Sequence, residues 1–167
     1  MRMKPKLKFM LDYGANPLWS NDEFTRQKFG HNIDNLQDLA LSDKTIELSK
    51  FVTELYWDVL NPICPMLPSF WSGEMHLFFR GKLNQLFDRI LNEIGSIYDI
   101  ENREEIELNS HIDIQKINFE VKEFLDNPNM YYRTNGISHN KTDEEEKKYV
   151  AIEYEKWRQK ELALLGK

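Results

Sequence analysis

The chain has 167 residues, 41% of them hydrophobic and 30% charged, with a formal charge of −6. That length suits one domain with a sizeable core, and that apolar content excludes global disorder. The single cysteine, Cys64, excludes an internal disulfide framework and fits a reducing compartment.

The first segment to read as structure is Lys6 to Trp19. Leu7, Phe9 and Leu11 alternate with Lys8, Met10 and Asp12, the period of a strand with one face in a core. Gly14 and Pro17 break it, and Leu18 and Trp19 predict a chain that folds back onto its own strand. Asp12 and Tyr13 stand at the strand end. No base, nucleophile or metal cluster lies near them in sequence, so the segment reads as scaffold.

Ser20 then reads as the cap of a short helix through Phe24 and Phe29, with Glu23 at the reciprocal position and Gly30 at its end. His31 to Ala40 reads as a loop pinned by Ile33, Leu36 and Leu39. Ser42 caps a long helix over Asp43 to Leu60. Leu48, Phe51, Val52, Leu55 and Val59 form its buried stripe, and Tyr56 and Trp57 widen it. Pro62, Pro65 and Pro68 make a stiff irregular link. Ser72 caps a second long helix whose stripe is Phe79, Leu83, Leu86, Phe87, Ile90 and Ile94, with Gly95 as a left-handed cap. The two helices should form an antiparallel pair with the first strand across them.

Ile97 to Glu101 reads as a short strand and Asn102 to Ser110 as loop or a solvated turn. Residues 113–126 fit a helix through Ile114, Ile117, Val121, Phe124 and Leu125, although Ile117, Phe119 and Val121 also alternate as in a strand. Met130 to Thr134 reads as a strand before an Asn135-Gly136 turn. Thr142 and Glu145 form a capping box for a final helix from Asp143 to Leu165, with Val150, Tyr154 and Trp157 as its apolar positions. The expected fold is α+β and mainly helical: an antiparallel helical pair, a small β-sheet and a C-terminal helix. It is a single domain over 1–167, with 142–167 loosely docked or projecting.

Charge is uneven. Tyr98–Asp126 holds 9 Asp/Glu against 3 Lys/Arg, a net −6, and the rest of the chain nearly cancels. Such a block disfavours direct nucleic-acid binding and suits a basic protein partner. The plainer reading is a solvated acidic surface that aids solubility. Ten Phe, seven Tyr and four Trp exceed what a small core needs, so some aromatics should lie on a surface. Arg2, Lys4, Lys6 and Lys8 precede an apolar run that Asp12 cuts short, so no signal peptide is expected. No apolar stretch approaches the roughly 18 residues of a membrane span. A soluble cytoplasmic protein follows from these features.

Catalytic constellations are missing from the sequence. His31, His76, His111 and His139 are scattered, without metal-ligand spacing, and His111-x-Asp113 is weak as a motif. Cys64 lies between prolines, twelve residues from His76, and reads as a packed thiol rather than a nucleophile. Glycine-rich phosphate loops and a nucleophile elbow are absent. Glu104-Glu105 and Glu144 to Glu146 sit among charges, where carboxylates are solvated rather than tuned for acid–base work. No cofactor and no metal are expected, and the chain is read as a non-enzyme.

Asp12-Tyr13-Gly14 followed by Pro17-Leu18-Trp19 resembles the opening of small bacterial proteins that start K-F-M-x-D-Y-G-x-x-P-L-W. Pro68-Ser69-Phe70-Trp71-Ser72 is similar to the same group. Those proteins resemble immunity proteins encoded beside secreted or contact-delivered bacterial toxins. The resemblance covers about residues 6–95 and fades before the acidic block. It implies a non-catalytic cytoplasmic protein that binds and neutralises a cognate toxin, often a nuclease with a basic surface. On that reading Asp99, Glu101, Glu104, Glu105 and Glu107 face the toxin, with Tyr98, Tyr131 or Tyr132 as anchors. Two readings of other classes stand beside it: a phage-encoded inhibitor or assembly protein that binds another host protein, and an enzyme with an unrecognised site.

Overall fold

Alternation in the first segment produces β1 (Lys6–Phe9), with Leu7 and Phe9 fully buried and Lys6 exposed. The computed structural model describes residues 3–105, 109–138 and 140–167. Arg2, Glu107 and His139, on which expectations fell, lie outside the described residues, as does part of the predicted 102–110 loop. After β1 the chain turns through Gly14, at φ +77°, and returns as β2 (Leu18–Ser20), antiparallel to β1. β3 (Asp99–Asn102) pairs parallel to β1 on its other side, giving the order β2-β1-β3. The helices with described bounds are α1 (Glu23–Phe29), α2 (Asp43–Trp57), α3 (Gly73–Ile94), α4 (Ile114–Asp126), α5 (Pro128–Thr134) and α6 (Asp143–Leu165). A 3-10 turn covers Leu36–Leu39. The architecture is α+β and mainly helical.

The chain divides into two compact units, 1–57 with 79–111 and 58–78 with 112–167. In the first, the sheet lays Leu7, Phe9 and Leu18 on Val52 of α2 and on Leu83, Leu86, Ile90 and Ile94 of α3, with Phe9 and Phe87 rings 5.1 Å apart. The α2–α3 pair is antiparallel. At one end Ser42 N and Oγ and Thr45 Oγ1 donate to the Glu93 carboxylate at 2.7, 2.7 and 2.6 Å. At the other, Tyr56 and Phe79 stack at 6.2 Å. Burial would raise the Glu93 pKa, but these donors outweigh it and hold the carboxyl below its ordinary value.

In the second unit the Pro-Ser-Phe-Trp-Ser stretch is core. Phe70 packs on Phe124 and Tyr154, and Trp71 stacks on Trp157 at 6.2 Å. Gly73 is required there, because a Cβ would lie 2.5 Å from Ile114 Cα. Glu161 of α6 is fully buried and accepts from Ser72 N at 3.0 Å, from Ser72 Oγ and from Arg158 Nη1 at 2.8 Å. It thereby caps the start of α3 alongside Ser72, whose Oγ accepts from Met75 N. The Thr142–Glu145 capping box is formed as expected.

Several local expectations are corrected. The N-cap of α1 is Asp22, not Ser20: its carboxylate accepts from Thr25 N, and Thr25 Oγ1 accepts from Asp22 N. Ser20 is held in β2, its hydroxyl donating to Gly30 O. Helix α2 stops at Trp57 rather than Leu60, and Trp57 is 47% exposed instead of widening the buried stripe. Gly95 has no left-handed conformation; it suits its place because a Cβ would meet Leu91 O at 2.4 Å. Met130–Thr134 is helical, since Pro128 at the first turn presets the helix and turns Tyr132 inward. Residues 114–126 form a helix, resolving that ambiguity.

Candidate interaction surface

Asp99, Glu101, Glu104 and Glu105, four of the acidic residues singled out in the sequence, fall on and just beyond β3, in the first unit. The β1–β3 register sets Lys6 beside Asp99 and Lys8 beside Glu101, so the polar face of the sheet carries crossed charge pairs. Asp99, Glu101 and Glu105 are exposed. Glu101 accepts from Arg103 Nε at 2.8 Å and from Asn21 Nδ2 at 2.9 Å. Glu104 has a structural duty: its carboxylate accepts from Leu11 N at 2.8 Å and so ties the end of β1 to the segment after β3. Glu107 is outside the described residues.

The three expected tyrosine anchors have different environments. Tyr98 is 7% exposed and packs with Phe29, and burial pushes its phenol pKa up. Tyr132 is 3% exposed, and its hydroxyl donates to the buried Glu146. Burial, then that bond and the Glu146 charge, raise its pKa. Tyr131 is half-buried against Phe124, and burial followed by the charges of Glu123 and Glu120 raises its pKa. Tyr98 belongs to the first unit, and Tyr131 and Tyr132 to the second.

Two large aromatic side chains are more open than these. Tyr13 is 39% and Trp57 47% exposed. Tyr13 lies flat on Tyr56, with ring centroids 4.7 Å apart at 15°, and its ring is 5.2 Å from Trp57 at 59°. The tight turn permits this, since Gly14 sits against the edge of the Trp57 ring. Sequence reasoning placed Tyr13 in the scaffold and Trp57 in a buried stripe. The signal that both are surface aromatics was tertiary: α2 ends at Trp57, and the Gly14 turn brings Tyr13 over its last turn.

Among the described residues no group of three or more His, Cys, Asp or Glu could hold a metal ion. No described helix is long and apolar enough to cross a membrane. A family model described as "Serratia CdiI immunity protein-like" matches residues 5–105. The chain belongs to that family. The match reaches further than the sequence motifs indicate, taking in β3 and the acidic residues Asp99, Glu101, Glu104 and Glu105. No curated protein and no solved structure matches the chain.

Proposed function

We propose that the chain is a non-catalytic, cytoplasmic immunity protein that binds a cognate protein toxin and neutralises it. The observation that carries this reading is family membership over residues 5–105. The surface supports it further. Asp99, Glu101 and Glu105 offer exposed negative charge along one sheet edge, suited to a toxin with a basic surface such as a nuclease. A nuclease concentrates Lys and Arg where phosphates bind, and an acidic surface both covers those groups and speeds encounter by electrostatic steering. The reading requires neither a cofactor nor a direct contact with nucleic acid or membrane.

Binding of the purified chain to the toxin encoded by the neighbouring reading frame tests it, measured at rising salt. Expected are a tight complex, loss of toxin activity, and an association rate that falls with salt. Charge reversal of Asp99, Glu101 and Glu105 should slow association further. Glu104 is left intact, because its bond to Leu11 N makes it part of the fold. Absence of a complex, or a complex indifferent both to salt and to the reversed charges, would overturn the reading.

A further inference from the structure

The Gly14 turn and the last turn of α2 place Tyr13, Tyr56 and Trp57 in one aromatic cluster at the surface of the first unit. Tyr56 lies beneath, half-buried, stacked on Tyr13 on one side and near Phe79 on the other. Burial, a hydrogen bond with Tyr13, and the charges of Tyr13, Glu104 and Asp12 push its phenol up to about 12. Asp12 precedes Tyr13 and accepts its N–H at 2.8 Å, and Glu104 accepts the N–H of Leu11. Asp12 is exposed, as is Glu105 next to Glu104.

Leaving two large rings about half in solvent forfeits part of their burial energy, whereas rigid, pre-stacked Tyr and Trp are the side chains that dominate binding interfaces. Their carboxylate flank selects the occupant. A guanidinium is planar, stacks on Trp and Tyr rings and pairs with a carboxylate at its edge. A purely apolar group would leave Asp12 to be desolvated without compensation.

We infer that the Tyr13–Tyr56–Trp57 cluster, flanked by Asp12 and Glu104, is the anchor point for an arginine side chain of the partner protein. This inference rests on the proposed immunity role and locates its energetic centre at the Gly14 turn and the end of α2 rather than on β3 itself. The β3 carboxylates then steer the toxin, and the aromatic cluster holds it. Steering charges act mainly on the association rate, and a stacked anchor acts mainly on dissociation.

The test uses the full-length chain and the toxin from the neighbouring reading frame. Tyr13→Ala and Trp57→Ala are each expected to weaken binding by about 30-fold or more, mainly through faster dissociation. Trp57→Leu, which keeps apolar bulk but lacks a ring for the cation, is expected to fall with Trp57→Ala. Asp12→Asn should also speed dissociation. Hydrogen exchange on the wild-type complex supplies a readout that needs no variant: amides around Tyr13 and in the last turn of α2 should gain protection. Wild-type binding with neither effect, Ala variants within about 3-fold and no added protection, overturns this inference and leaves the immunity role standing. If Trp57→Leu binds as wild type does, the occupant is apolar and the arginine assignment fails. If the wild-type chain forms no complex, both the role and the anchor fall.

Discussion

Replacing Glu161 by Ala should be among the most damaging single changes in the second unit. Its carboxylate is fully buried and holds three donors: Ser72 N, Ser72 Oγ and Arg158 Nη1. Ser72 N–H has no intrahelical acceptor, because it precedes the first turn of α3. Stranding that part-buried donor costs about 1–2 kcal/mol, and losing negative charge at a helix N-terminus adds about 0.3–1 kcal/mol. Arg158 also loses its carboxylate, though its side chain is 34% exposed and water replaces part of that bond. The total is about 2–4 kcal/mol, its upper end reaching the cost of breaking a buried pair from one side. Glu161→Gln keeps an acceptor for Ser72 and should lose only about half as much. Urea unfolding followed by tryptophan fluorescence reports the change, since Trp71 and Trp157 stack in that unit. With a slope of about 2 kcal/mol/M, the midpoint should fall by roughly 1–2 M for Glu161→Ala. A drop of less than about 0.5 M would refute the assignment of Glu161 as a buried cap.

Other changes bear on single points of the structure. Gly73→Ala should destabilise by about 2–3 kcal/mol by forcing Ile114 away, seen as a lowered thermal midpoint. Gly81→Ala, exposed in the same helix with nothing within 4 Å of its Cβ, should instead stabilise by about 0.5–1 kcal/mol. Tyr132→Phe removes the hydroxyl that donates to buried Glu146 and should cost about 1–3 kcal/mol in urea unfolding. Asp22 and Glu93 both have folded pKa values held below their ordinary ones. For Asp22 the Thr25 N–H is the main cause; for Glu93 the hydroxyl and amide donors outweigh burial. Their stabilisation is therefore complete above the unfolded pKa, about 4, and is lost as pH falls through the lower folded values. Acid titration of Glu93→Gln should show a shallower loss of stability below pH of about 4 than the wild type does.

Much of the backbone was legible in the sequence because its signals are local. The Leu7–Phe9 alternation, the stripes of α2 and α3 and the Thr142–Glu145 box each depend on spacing within a few residues. Errors arose where two local rules competed or tertiary context decided. Ser20 and Asp22 both fit an N-cap, and only pairing of Ser20 into β2 separates them. Aromatic Met130–Thr134 looks extended until Pro128 is seen to start a helix. For the candidate surface, charge was readable but exposure was not. The acidic residues were identified by type, whereas the burial of Tyr98 and Tyr132 and the openness of Tyr13 and Trp57 depend on partners far away in sequence.

The stretch that matches the family ends at residue 105, yet the aromatic pair Phe70–Trp71 inside it is roofed by Phe124, Tyr154 and Trp157 from beyond that limit. Cutting the chain after residue 105 would strip that roof and leave two large rings bare, an invitation to aggregate. Any relative sharing only the matched stretch must therefore shelter those rings with a differently built tail. The tail is then free to diverge in sequence so long as it still supplies aromatic cover and a carboxylate for the start of α3.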